Sequence, residues 1–145
     1  MTARFFVDTN ILVHVYDRRD PERRDSAIAL LRALAHTQAV AVSTQILGEF
    51  FWTVTRRIPD PLSPAEAAAV VSRHAKTWQV LDLTWPTVQE ALRGATEHQL
   101  PYWDALIWAT ARLAEIPVVM SEDFQDDREI EGVRFQNPFP RVTAP

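Results

Sequence analysis

The strongest constraint on the fold is a rhythm. Short apolar runs of strand length, Arg4–Val7, Val40–Val42, Trp78–Leu83 and Pro117–Met120, alternate with longer stretches of helical spacing. A helix is expected from Ile11, and a second, carrying Ile28, Leu31, Leu34 and Ala35, should end near His36. Ser43 can cap a third helix that buries Ile46, Leu47, Phe50, Phe51 and Val54 and stops at Ile58-Pro59-Asp60-Pro61. Ser63-Pro64-Ala65-Glu66 has the capping-box pattern and predicts a helix to about Ala75. Thr84 or Thr87 begins another, reaching roughly His98, and an apolar helix runs from Tyr102 to about Glu115. Val133–Phe135 is a candidate fifth strand. Strands alternating with helices pair in parallel and are covered on both faces. In such sheets ligands bind beyond the carboxyl ends of the strands.

One domain of residues 1–145 accounts for the whole length. With 47% apolar residues it can fill a core, and with no cysteine it has neither disulfides nor thiolate metal sites. The beginning, MTARFFVDTN, reads as neither signal peptide nor membrane anchor, so a soluble, cytoplasmic protein is expected. No repeat appears, and NPFPRVTAP reads as a short extended tail.

Four acids stand in unusual company. Asp8 interrupts the apolar run FFVDTNILVH directly after the first strand, Glu49 and Asp104 lie on helices among aromatic and aliphatic residues, and Asp123 follows the fourth strand. Each has an ordinary reading: Asp8 as a helix cap, Glu49 on a solvated ridge, Asp104 in a first helical turn, Asp123 in a polar loop. Taken together they have another. A parallel α/β fold can gather them at one edge, where hard divalent cations with oxygen ligands would offset their repulsion. Such ions activate water and polarise phosphoryl oxygens, which is phosphodiester chemistry. The same four acids equal the formal charge of −4, which otherwise argues against a generic basic nucleic-acid coat.

FFVDTNILVHVYD, STQILGEFFWTVTRR, YWDALIWATA, VVMSEDFQD and IEGVRFQNPF, in that order, resemble the PIN-domain ribonucleases, specifically the VapC-like toxins of bacterial toxin–antitoxin pairs. The resemblance implies a three-layer α/β/α fold around a mostly parallel sheet of four to five strands, dependence on Mg²⁺ or Mn²⁺, and endonucleolytic cleavage of RNA. By motif position it makes Asp8, Glu49, Asp104 and Asp123 the acidic metal-site residues, with Asp126 a competitor for the fourth place. The resemblance further implies that Asn10 would support the site by hydrogen bonding and that Ser43 would do likewise or orient a water. Ser121 stands where many relatives have Thr, and Asp127 where they often carry Gly. Attack by metal-activated water would leave a 5′-phosphate and a 3′-hydroxyl. A homodimer and a small antitoxin that masks the acidic cleft are further implications.

Two α/β rivals use an Asp at the same strand end: an Asp-nucleophile phosphatase and a phospho-receiver domain. The first ordinarily needs a second Asp two residues on, where this chain has Asn10. The second needs a lysine near the sheet edge, and the chain's only lysine is Lys76, in or just after a helix. Arg18, Arg19, Arg56 and Arg57 are candidates for gripping an RNA backbone, against the plainer reading of solvated helix faces. Trp52 is a candidate for either base stacking or a protein contact. The four histidines show no ligand-like spacing and take no catalytic role.

Overall fold

The computed structural model describes residues 3–139. Six strands form one sheet in the order β3-β2-β1-β4-β6-β5. They are β1 Phe5–Val7, β2 Val40–Ser43, β3 Gln79–Leu81, β4 Val118–Met120, β5 Glu129–Ile130 and β6 Val133–Gln136. The helices are α1 Thr9–His14, α2 Pro21–Leu34, α3 Thr44–Arg56, α4 Pro64–Thr77, α5 Trp85–Glu97 and α6 Tyr102–Leu113. All pairings are parallel except β5 with β6.

The chain walks outward from β1 to β2 to β3, then jumps back across β1 to β4. Right-handed crossovers put α1 to α4 over one face on the outward walk and α5 and α6 over the other on the return, giving three layers. The reversal makes a topological switch point between β1 and β4, whose registers pair Phe5 with Val118 and Val7 with Met120. The strands around it are buried on both sides: Phe6, Val7, Ala41, Val42 and Val119 have no exposed surface.

Local chemistry explains the helix starts. Asp8, Asp20, Ser43, Ser63 and Thr84 each accept a backbone N–H at a helix N-terminus, and Ser63 with Glu66 completes the capping box. α1 begins at Thr9, earlier than expected, because Asp8 itself is the cap. On the other face α5 and α6 pack closely: Gly94 lies against the Trp108 ring, and the buried Trp108 Nε1 donates to the Ile130 carbonyl at 3.1 Å.

The expected fifth strand is present as β6, and a two-residue partner, β5, adds an antiparallel edge. The two-residue connection, Glu131-Gly132, takes positive φ at both positions (48° and 86°), the geometry of a tight hairpin turn. Asn137–Phe139 does not extend freely. Phe139 is buried, edge-on to His14 at 5.0 Å and beneath the Arg23 guanidinium at 5.3 Å. The remainder of the expected extended tail, residues 140–145, lies outside the described residues.

Candidate active site

Asp8 leaves β1 at the switch point with 5% of its surface exposed, and both carboxylate oxygens are held. Oδ1 accepts from the Thr9 amide at 2.7 Å; Oδ2 accepts from the Ser121 hydroxyl at 2.7 Å and the Asn10 side-chain amide at 3.5 Å. Ser121, which has no exposed surface, follows β4 immediately, so the hydroxyl ties the ends of the two central strands together. Its oxygen also accepts from Asn10 Nδ2 at 3.2 Å and from the Asp123 amide at 3.1 Å. Asn10 Nδ2 therefore reaches both Asp8 and Ser121.

Burial raises the Asp8 carboxyl to about 7, against the lowering effect of the Ser121 and Thr9 hydrogen bonds, with the charges of Asp123 and Glu49 adding to the rise. Asp104, half-buried in the first turn of α6, is raised chiefly by burial, then by Asp123 and Glu49. Mutual repulsion of this kind requires proximity. Asp8, Glu49, Asp104 and Asp123, separated by 41, 55 and 19 residues in the chain, therefore share one electrostatic neighbourhood at the carboxyl edge.

Glu49 is aimed by its neighbours. Oε2 accepts from the Thr9 hydroxyl at 2.9 Å and Oε1 from Gln45 Nε2 at 2.8 Å. Gln45 also reaches the Trp103 carbonyl at 3.5 Å, linking α3 to the start of α6. Sequence reading singled out neither Thr9 nor Gln45, although Gln45 stands one helical turn before Glu49, where such a contact is geometrically natural.

The competition for the fourth acid has a structural asymmetry. The Asp126 carboxylate accepts the Asn137 amide at 2.9 Å, pinning the chain after β6, whereas Asp123 acts electrostatically on Asp8 and Asp104. Asp127, where relatives often carry Gly, has φ of 65°, a conformation Asp tolerates better than most residues, and is held by Arg134 at 2.8 Å. Ser43 is fully buried, and its hydroxyl accepts the Ile46 amide at 3.2 Å as the cap of α3.

The loop carrying Asp123 is anchored by a cluster that sequence reading missed. Glu122 accepts from His14 at 2.7 Å and pairs with Arg23, so the loop is joined to α1 and α2. Burial, aided by the Arg23 charge, holds the His14 pKa below its ordinary value. Nothing in the spacing of these three residues signals their meeting. Beside the acids opens a cleft of about 680 Å³, walled by α1 and α3, whose lining includes Asn10, Glu49 and Asp123. The candidate arginines divide: Arg19 lines this cleft, Arg18 pairs with Asp60 at 3.1 Å, Arg57 lies over Trp52, and Arg56 is exposed. Lys76 sits in the last turn of α4.

The donors at the carboxyl edge are all oxygens, and a buried carboxylate driven toward neutrality beside other acids is a group that a hard cation would stabilise. This donor chemistry fits Mg²⁺ or Mn²⁺. No three of the four acids bring carboxylate oxygens within 4.8 Å of one another; among the described residues, Glu97, His98 and Glu131 do so. That trio lies elsewhere, and Arg93 and Arg112 already pair with Glu131.

Residues 5–128 match the family described as PIN domain. No curated protein matches the sequence. Solved structures share the fold. VapC20 of Mycobacterium tuberculosis, described as a sarcin-ricin loop cleaving toxin, is 24% identical, with a TM-score of 0.65 over 82% of this chain and 91% of that one. A toxin–antitoxin complex from Klebsiella pneumoniae gives 19% identity and a TM-score of 0.67 over 92% and 97%. VapBC2 of Rickettsia felis, bound to a promoter DNA fragment, gives 18% and 0.66 over 92% and 97%.

Proposed function

Because the chain belongs to the PIN domain family, we propose that it is a metal-dependent endoribonuclease and the toxin of a toxin–antitoxin pair. The observation that carries this reading is the buried Asp8 at the switch point, driven toward neutrality by burial and by two other acids. On this reading Asp8, Glu49 and Asp104 hold the ion, with Asp123 completing its surroundings. When bound, Mg²⁺ or Mn²⁺ offsets the clustered negative charge, activates water and polarises a phosphoryl oxygen.

The chain's own residues do the positioning. Thr9 N–H and the Ser121 hydroxyl fix the two oxygens of Asp8, while Thr9 Oγ1 and Gln45 Nε2 fix those of Glu49. Donors on both oxygens hold a carboxylate in one orientation, which pre-organises the site before substrate arrives. Ser121 Oγ accepts the Asp123 amide and so sets the start of its loop. No side chain need act as a covalent nucleophile. The rival Asp-nucleophile chemistry lacks its acid, since Asn10 donates to Asp8 and Ser121 and carries no carboxyl proton.

The toxin assignment draws on the Klebsiella pneumoniae and Rickettsia felis complexes, and it extends to a homodimer and to a small antitoxin covering the cleft. No helix among the described residues is long and apolar enough to cross a membrane, in keeping with the proposed cytoplasmic site of action. Sequencing RNA 5′ ends after induced expression tests the proposal. New ends bearing 5′-phosphates should appear with the wild type and fall at least about 100-fold with Asp8→Asn or Asp104→Asn, as for loss of a main source of transition-state stabilisation. Undiminished cleavage by folded variants would sink the assignment. A reading frame for a DNA-binding antitoxin should lie directly upstream.

A further inference from the structure

The cleft carries, apart from the acids, a cation and an aromatic ring that hydrolysis itself does not use. Asp17 is a buried carboxylate, 6% exposed, fully occupied by Arg19. Arg19 Nε donates to Oδ1 and Oδ2 at 3.0 and 3.1 Å, Nη2 donates to Oδ2 at 2.7 Å, and the Arg19 amide donates to Oδ1 at 3.0 Å. Arg19 Nη2 also reaches the Arg57 carbonyl at 3.4 Å, which ties it to the end of α3. The anchor is buried while the Arg19 side chain is 62% exposed and lines the cleft. A surface arginine normally sweeps many rotamers, and this one is held in place.

Trp52 lies on α3 three residues after Glu49, lines the same cleft and is 45% exposed. The Arg57 guanidinium sits over its ring at 4.8 Å from the centroid. Arg19 Nε and Nη2 are taken up by Asp17 and the Arg57 carbonyl, so Nη1 is the edge of the Arg19 guanidinium left to meet a backbone phosphate, as a single charge-assisted donor, and unpaired bases stack on aromatic faces. An oriented guanidinium and an exposed indole in one cleft, next to Glu49 and Asp123, complement the two halves of a nucleotide.

Resting on the ribonuclease reading above, we propose that Arg19 and Trp52 form a nucleotide subsite, Arg19 meeting a backbone phosphate and Trp52 stacking an unpaired base beside the bond to be cut. A base inside a duplex is not free to stack in this way, so the substrate segment is single-stranded. Asp17 and Arg57 are positioning residues, acting through Arg19 and Trp52.

The test is binding of a fluorescently labelled single-stranded RNA oligonucleotide, and of the same sequence as a duplex, to full-length Asp8→Asn protein, read by anisotropy. Trp52→Ala in that background should raise Kd roughly ten- to hundred-fold, and Trp52→Phe should keep most of the affinity. The single strand should bind more tightly than the duplex. Arg19→Gln, with folding checked by its melting curve, should lower the slope of log K against log salt by about 1. Unchanged RNA affinity in Trp52→Ala overturns the subsite; if that substitution weakens binding of the upstream-encoded antitoxin instead, the ring is a protein contact and the subsite is equally overturned. RNA cleavage that needs Asp8 but ignores Trp52 leaves the nuclease standing without this subsite. RNA binding that needs Trp52 in a protein that cuts no RNA leaves the subsite without the nuclease.

Discussion

At the scale of the residue, Asp8 serves two purposes that pull against each other. Its Oδ1 caps α1, which stabilises the fold, while its burial at a strand end beside other acids opposes ionisation. The consequence for pH follows from linkage. The folded-state pKa of about 7 lies above the ordinary 3.8, so between about pH 4 and pH 7 the folded protein keeps a proton that the unfolded chain releases. Stability from this group is therefore complete below pH 4 and is lost as pH rises through 7. About three pKa units correspond to a loss on the order of 4 kcal/mol. Metal-free Asp8→Asn protein should accordingly be more stable than wild type at pH 8 and close to it near pH 4, even as its RNA cleavage falls. Urea unfolding at the two pH values checks this, and two curves that stay parallel would refute it. Asp8 was legible as a site candidate because FFV and ILVH flank it with residues that have no use for a charge. Ser121 was visible only as a departure from relatives, since nothing near it in the chain reveals that its hydroxyl donates to an acid 113 positions away.

At the scale of the element, local signals were legible and the precision of packing was not. Ser43 and Ser63 with Glu66 cap the helices they were expected to cap, and of the two candidates Thr84 and Thr87 it is Thr84 that caps α5, because a cap is a contact between residues two or three positions apart. The edge hairpin escaped notice because Glu131-Gly132 lacks the usual Asn-Gly or Asp-Gly signature, and the left-handed Glu131 is fixed by Arg93, Arg112 and His98. Gly94 is a sharper case. In a helix interior Ala is intrinsically favoured over Gly by about 1 kcal/mol, so propensity alone recommends the substitution. Here a Cβ would meet the Trp108 ring at 2.6 and 2.8 Å, and Trp108 cannot yield easily because it is fully buried with its indole N–H bonded to Ile130. Gly94→Ala should therefore destabilise the protein by about 1–3 kcal/mol through overpacking. Thermal melting decides it: a midpoint equal to or above wild type would mean that α5 and α6 separate at little cost.

At the scale of the whole molecule, the sheet order brings the acids together. Reversal of the walk at β1 puts Asp8 and Ser121 on adjacent strand ends, while α3 and α6, from opposite faces, deliver Glu49 and Asp104 to the same edge. Sequence rhythm implied such a sheet, but the cleft wall of Asp17, Arg19 and Trp52 depends on how α1 and α3 pack, which no periodicity encodes. A gathering of acids from four distant segments has a global signature, because a cation that binds only the folded arrangement stabilises the entire chain. Millimolar Mg²⁺ at a hundredfold excess over its Kd should add about 2.7 kcal/mol and raise the melting midpoint by roughly 5–10 °C. Asp8→Asn and Asp104→Asn should abolish most of that rise. The rise should be larger at pH 8 than at pH 6, since the ion takes its place at Asp8 only after the carboxyl proton has left. Glu97→Gln separates this edge from the group of ligand-type side chains that does lie within 4.8 Å among the described residues, Glu97, His98 and Glu131, where Arg93 already pairs with both glutamates. Its magnesium response should match wild type. A response that disappears with Glu97→Gln and survives Asp104→Asn would move the ion from the carboxyl edge of the sheet to the end of α5.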